Sequence, residues 1–112
     1  MQEQKGKEKM FNMKISQKQA LKMMEEDKEL ILLDVRTKDE YASGHIKGAI
    51  NIPNETISNT KPALLPDTEK TILVYCQSGM RAGKAVKKLK RIGYKNTYSI
   101  GGIMTWTGEI IR

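Results

Sequence analysis

The sequence predicts an α/β domain built on a mostly parallel sheet. Three observations lead there. Near-continuous apolar runs of strand length recur, above all in "ELILLDV" and "KTILVYC", and such runs belong to strands buried on both faces. Elsewhere the apolar spacing has a helical period. Strands thus alternate with helices, the pattern of a parallel sheet joined by crossover helices. A chain of 112 residues suffices for one compact domain. That domain is expected over residues 11–112, behind a disordered arm at 1–10, which is polar and without periodicity.

The elements follow in chain order. "FNMKIS" has the composition of a short edge strand. Ser16, with Gln19 three residues on, has capping-box spacing, and Ala20, Leu21, Met23 and Met24 give the helix after it an apolar stripe. "ELILLDV" is the first buried strand. Thr37 and Glu40 repeat the capping-box spacing, and Gly44 is placed to end a short helix. "AINIP" reads as a short strand stopped by Pro53. Residues 54–70, with Pro62 and Pro66, read as loop with a short helix. "KTILVYC" is the clearest strand. Behind it Ala82, Ala85, Val86 and Leu89 keep the spacing of one helix face, and Gly93 is placed as its C-terminal cap. "NTYSI" is the last strand, and "GGIMTW" a tight turn into a final helical turn.

Charge and cysteine usage narrow the function classes. The formal net charge is +7, and residues 81–95 hold seven of the cations, Arg81, Lys84, Lys87, Lys88, Lys90, Arg91 and Lys95, with no acid. A solvated helix face accounts for this run, since no nucleic-acid motif accompanies it. No apolar run reaches the length of a membrane span, and the first residues lack the apolar core of a signal peptide. A single cysteine excludes an internal disulfide and suits a reducing compartment, so a cytoplasmic location is expected.

That cysteine, Cys76, ends one strand and precedes one helix, the place where open α/β sheets gather ligands. The free N–H groups of a helix start can converge on an anion there. Gly79 allows a tight arch, and Arg81 adds a planar cationic fork. These features favour a thiolate at Cys76, which is both a nucleophile and a leaving group. A small buried cysteine at a strand end is the plainer alternative; the glycine, the arginine and the following helix argue against it.

Four segments together resemble the single-domain rhodaneses, which are sulfurtransferase modules: "LLDVRTKDEYASGHIKGAINIP", "ILVYCQSGMR", "KKLKRIGYKNTYSIGG" and "GGIMTW". The resemblance runs from about residue 15 to 107. It implies a five-stranded, mostly parallel sheet flanked by helices on both faces. It implies that Cys76 is the nucleophile, that it takes the outer sulfur of a donor such as thiosulfate, and that it passes this sulfur as a persulfide to a thiol, cyanide or protein acceptor. Gln77, Ser78, Gly79, Met80 and Arg81 are then the persulfide cradle. Asp34 and Arg36 are a buried pair bracing the loop, and Glu40 caps its own helix. His45 has a structural role, Trp106 packs against the core, and Gly101 and Gly102 permit a tight turn. No metal or organic cofactor is required. The expected partners are a small anionic donor and a thiol or protein acceptor, without nucleic acid or membrane, for a chain expected to be monomeric. Two positions depart from the family pattern: Ala82 replaces a frequent Ser or Thr, and Gln77 replaces an Arg often found in thiosulfate-specific members.

Two other functions fit the same residues. Related phosphatases and arsenate reductases have five residues between cysteine and arginine, a loop that encloses a larger oxyanion. Here Gln77, Ser78, Gly79 and Met80 are the four between. A sulfur carrier or interaction module without turnover, docking an acidic partner on Lys84, Lys87 and Lys88, is the other.

Overall fold

The computed structural model describes residues 13–112, so the arm expected at 1–10 lies outside it. Ser16 opens α1 (Gln17–Glu26), its hydroxyl accepting the Gln19 N–H. β1 (Ile31–Asp34) leads to α2 (Lys38–Ser43), where Thr37 and Glu40 form the full reciprocal capping box. Two-residue strands β2 (His45–Ile46) and β3 (Ile50–Asn51) follow. β4 (Ile72–Cys76) runs directly into α3 (Met80–Ile92), and β5 (Thr97–Gly102) and β6 (Ile110–Ile111) complete the chain.

The sheet is parallel, with strand order β3-β1-β4-β5. It has four strands where five were expected. Among the described residues the fifth position holds one parallel bridge, Lys14 to Ser99, at the β5 edge. Of the edge strand expected from "FNMKIS", Phe11 and Asn12 lie outside the described residues. A separate antiparallel pair joins β2 to β6. Sequence pattern gives no sign of it, because two residues are too few to show alternation.

β4 is central and buried at all five positions. Its side chains alternate between the two faces. Ile72, Val74 and Cys76 face α3, whose Ala82, Ala85, Val86 and Leu89 pack with them, while Leu73 and Tyr75 face the opposite core with Ala20 of α1, Ile46 and Ile100. Helices thus cover both faces. The irregular stretch between β3 and β4 is anchored through Leu65, which is fully buried and whose carbonyl accepts the Tyr94 hydroxyl at 2.5 Å. Trp106 packs on the α1 side, as expected. Among the described residues no helix is long and apolar enough to cross a membrane.

Candidate active site

The site forms where β4 becomes α3. Gly79 is the N-cap of α3 and has φ 111°, a left-handed conformation that suits glycine. It carries no capping side chain, and Cys76 takes that role. Its Sγ accepts the N–H of Gly79 at 3.0 Å and of Ala82 at 3.3 Å. Ala82 stands third in the helix, so its N–H is one of those a helix start leaves without an intrahelical acceptor. Met80 and Arg81 present two more such groups. The thiol lies on the floor of this arch, with Cys76 only 1% exposed. Negative charge on that sulfur is what converging N–H dipoles favour.

The loop rests on the end of β5. Pairing between β4 and β5 shifts register between Val74 and Cys76, an irregularity of the kind that re-aims a strand beside a site. Gly101, with φ 89°, absorbs the turn. Gly102 has ordinary extended angles but no room: a Cβ there would lie 2.2 Å from the Gln77 carbonyl oxygen. Gln17 of α1 fixes this turn from behind, its amide donating to the Gly102 carbonyl and the Thr105 hydroxyl, both at 2.9 Å.

Asp34 and Arg36 form the buried pair that was expected. The Arg36 Nη2 lies 2.8 Å from Asp34 Oδ2, with side chains 4% and 0% exposed. Burial alone would lower the Arg36 guanidinium, but the hydrogen bond and charge of Asp34 outweigh it and keep Arg36 cationic. Arg36 also donates to the Gly44 carbonyl at 2.6 Å and to the Gln77 amide oxygen at 3.3 Å, which ties the pair to the loop. Tyr75 joins them: burial pushes its phenol up, and its neutral oxygen accepts the Ile46 N–H. His45 stacks on Tyr41 with ring centroids 3.9 Å apart, a packing role.

Glu40 does more than cap its helix. Its Oε1 accepts from Arg81 Nη1 at 2.7 Å and its Oε2 from Nη2 at 3.0 Å, a fork-to-fork pair across 41 positions of sequence. The side chain of Arg81, a residue expected in the cradle, meets this carboxylate fork to fork, because a planar fork and a carboxylate match geometrically. The hydrogen bond from Arg81 is the main reason that the Glu40 carboxyl falls from 4.5 to about 2; burial opposes it, and the Thr37 N–H and the Arg81 charge assist.

A carboxyl lowered in the folded state adds stability that is complete above its unfolded value and is lost as pH falls toward the folded one. The wild type is therefore expected to lose its stability advantage over Glu40→Gln between pH 4.5 and about 2. Paired urea titrations across that range would show it; a difference that stays flat would mean that the ion pair does not form in solution.

A parallel α/β domain that seats one thiol under backbone amides, at the carboxyl end of its central strand, defines a class of cysteine-loop domains. Within that class the chain belongs to the rhodanese-like family: the model of the Rhodanese-like domain matches residues 16–109. The chain is 35% identical over 71 residues to the thiosulfate sulfurtransferase PspE of Escherichia coli, covering 63% of this chain and 68% of that protein. It is 38% identical over 80 residues to the uncharacterized protein YqhL of Bacillus subtilis, covering 70% and 62%. It is also 35% identical over 88 residues to a tRNA uridine(34) hydroxylase of Yersinia pestis, where it spans 74% of this chain but 25% of that protein. Among solved structures, an E. coli rhodanese with anions superposes with a TM-score of 0.65 at 30% identity, over 73% of this chain and 96% of that one. The human single-domain sulfurtransferase TSTD1 gives 0.68 at 27% identity, over 83% and 92%.

Proposed function

We propose that the protein is a sulfurtransferase that moves sulfane sulfur from an anionic donor to a thiol, cyanide or protein acceptor through a persulfide on Cys76. The observation that carries this is the pair of backbone N–H groups aimed at the Cys76 Sγ. They stabilise negative charge on the persulfide sulfur, as an oxyanion hole favours a developing alkoxide. In the first half-reaction the thiolate attacks the outer sulfur of thiosulfate. A bond forms between Sγ and that sulfur, the bond to the sulfonyl sulfur breaks, and its electron pair leaves with sulfite. In the second half-reaction an acceptor thiolate attacks the outer sulfur and Cys76 departs as thiolate. Gln77, Ser78, Gly79, Met80 and Arg81, with the Ala82 N–H, surround the transferred atom. Asp34 and Arg36 hold the loop from beneath. The steps use no metal and no organic cofactor.

The four-residue spacing and the deep seat of the thiol favour a single terminal sulfur over a phosphoryl group with its three oxygens. Intact mass spectrometry after thiosulfate treatment tests the reading. It should show one added sulfur that cyanide removes; a mass that never changes would count against the mechanism.

A further inference from the structure

We propose that Glu40 is a positioning residue that aims and neutralises Arg81, and so sets the loop to take sulfur from donors of single negative charge in preference to dianions. The inference rests on the sulfur-transfer reading above and names the donor class within it.

The first support is the geometry of the fork. Both terminal nitrogens of Arg81 face Glu40, one oxygen each. The second is that Glu40 is held independently of Arg81. Its Oε1 accepts the Thr37 N–H at 2.9 Å, and its own N–H donates to the Thr37 hydroxyl at 3.2 Å. The carboxylate is thus part of the start of α2 and meets Arg81 from a fixed position. The third is the state of the other arginine beside the loop. Arg36 is paired with Asp34 and reaches the loop only through the neutral amide of Gln77. Two guanidinium groups and two carboxylates therefore cancel around Cys76.

Backbone N–H dipoles are left to meet the donor. They suit one compact charge at the sulfur end. A second charge on the donor would meet an Arg81 whose charge Glu40 already offsets, so it gains no net attraction there. The exposed Lys84 and Lys87 lie about one and two turns past Arg81 on α3, where salt weakens the pull of exposed charges.

Two donors isolate the effect of charge. Thiosulfate is a dianion; methanethiosulfonate has a methyl group in place of one charged oxygen and is a monoanion. Both offer the same terminal sulfur to the Cys76 thiolate. The same bond breaks in each, releasing sulfite from one and methanesulfinate from the other with the bonding electron pair. The ratio of kcat/KM for thiosulfate to that for methanethiosulfonate, with one thiol acceptor, is the quantity to measure. Intrinsic donor reactivity cancels when variants are compared.

Glu40→Gln keeps an acceptor for the Thr37 N–H and removes the charge. It should raise the ratio about tenfold, the size expected of one charge a few ångströms from a partly hydrated site. Thr37→Ala, which loosens the cap and leaves the charge, should not move it. Should Glu40→Gln fail to fold, Gln77→Arg at an exposed loop position adds an uncompensated cation and should raise the ratio likewise. A ratio that stays flat or falls, or one that Thr37→Ala raises equally, overturns the assignment of Glu40 alone. If neither donor puts a sulfur on wild-type Cys76, the sulfur-transfer reading falls and this one with it.

Discussion

Replacing Cys76 with serine is expected to abolish sulfur transfer while leaving the fold in place. The two effects separate because the residue has two roles. As a cap it receives the N–H groups of Gly79 and Ala82, and a serine oxygen can still accept a hydrogen bond there. Alanine would leave both donors without a partner, at about 1–3 kcal/mol for each that stays buried. Serine should therefore cost little stability, on the order of 1 kcal/mol. As a nucleophile the residue has no substitute: among the described residues the sulfur is hydrogen-bonded only by backbone N–H groups, and a serine hydroxyl so placed neither attacks the donor nor leaves again. Donor turnover and the added sulfur mass should both vanish, with the urea midpoint near that of the wild type. Residual transfer in this variant would sink the persulfide mechanism. If the wild type hydrolysed an aryl phosphate and Cys76→Ser did not, the phosphatase reading would replace it.

The second large effect belongs to Gly102→Ala. The added methyl would lie 2.2 Å from the Gln77 carbonyl oxygen and 2.7 Å from the Ser78 Cα. Both are backbone atoms, so no rotamer change relieves the clash and the loop itself must move. Overpacking of this kind costs roughly 1–3 kcal/mol. The functional loss should be greater, because a loop displaced by about 1 Å at a reacting centre can cost on the order of a hundredfold in rate. Gly102→Ala should therefore unfold at lower urea and transfer sulfur at about 1% of the wild-type rate. A wild-type urea midpoint in this variant would show that the loop does not pack on β5 as described.

Much of this arrangement was legible in the sequence, and the physics explains which part. The β1 and β4 strands announce themselves as apolar runs because both of their faces are buried. The α2 capping box and the buried face of α3 depend on contacts within four residues, where sequence spacing and space coincide. What pattern cannot give is pairing at a distance. Glu40 and Arg81 stand 41 positions apart, and each has a sufficient local reason to exist, one as a helix cap and the other as a loop cation. The Ala82 N–H was hidden differently: it is a backbone donor, and the alanine side chain draws attention to the core instead. Gly102 reads as a turn residue, yet its angles are ordinary and the requirement is for space. The departures at Gln77 and Ala82 also gain an account. Gln77 meets Arg36 through its amide oxygen, where an arginine would face another cation, and Ala82 reaches the sulfur through its backbone.

The β2–β6 pair bears on where this module can be cut. The family match ends at residue 109, while the strand that closes over His45 and Ile46 lies at Ile110–Ile111. Those last residues also cover Gly44, whose carbonyl holds Arg36 and, through it, the loop. A domain excised or fused at the family boundary would keep the cysteine and every strand of the parallel sheet. It would lose the clip over Gly44. A fusion junction placed beyond Ile111 would keep the β2–β6 pair and the cover over Gly44.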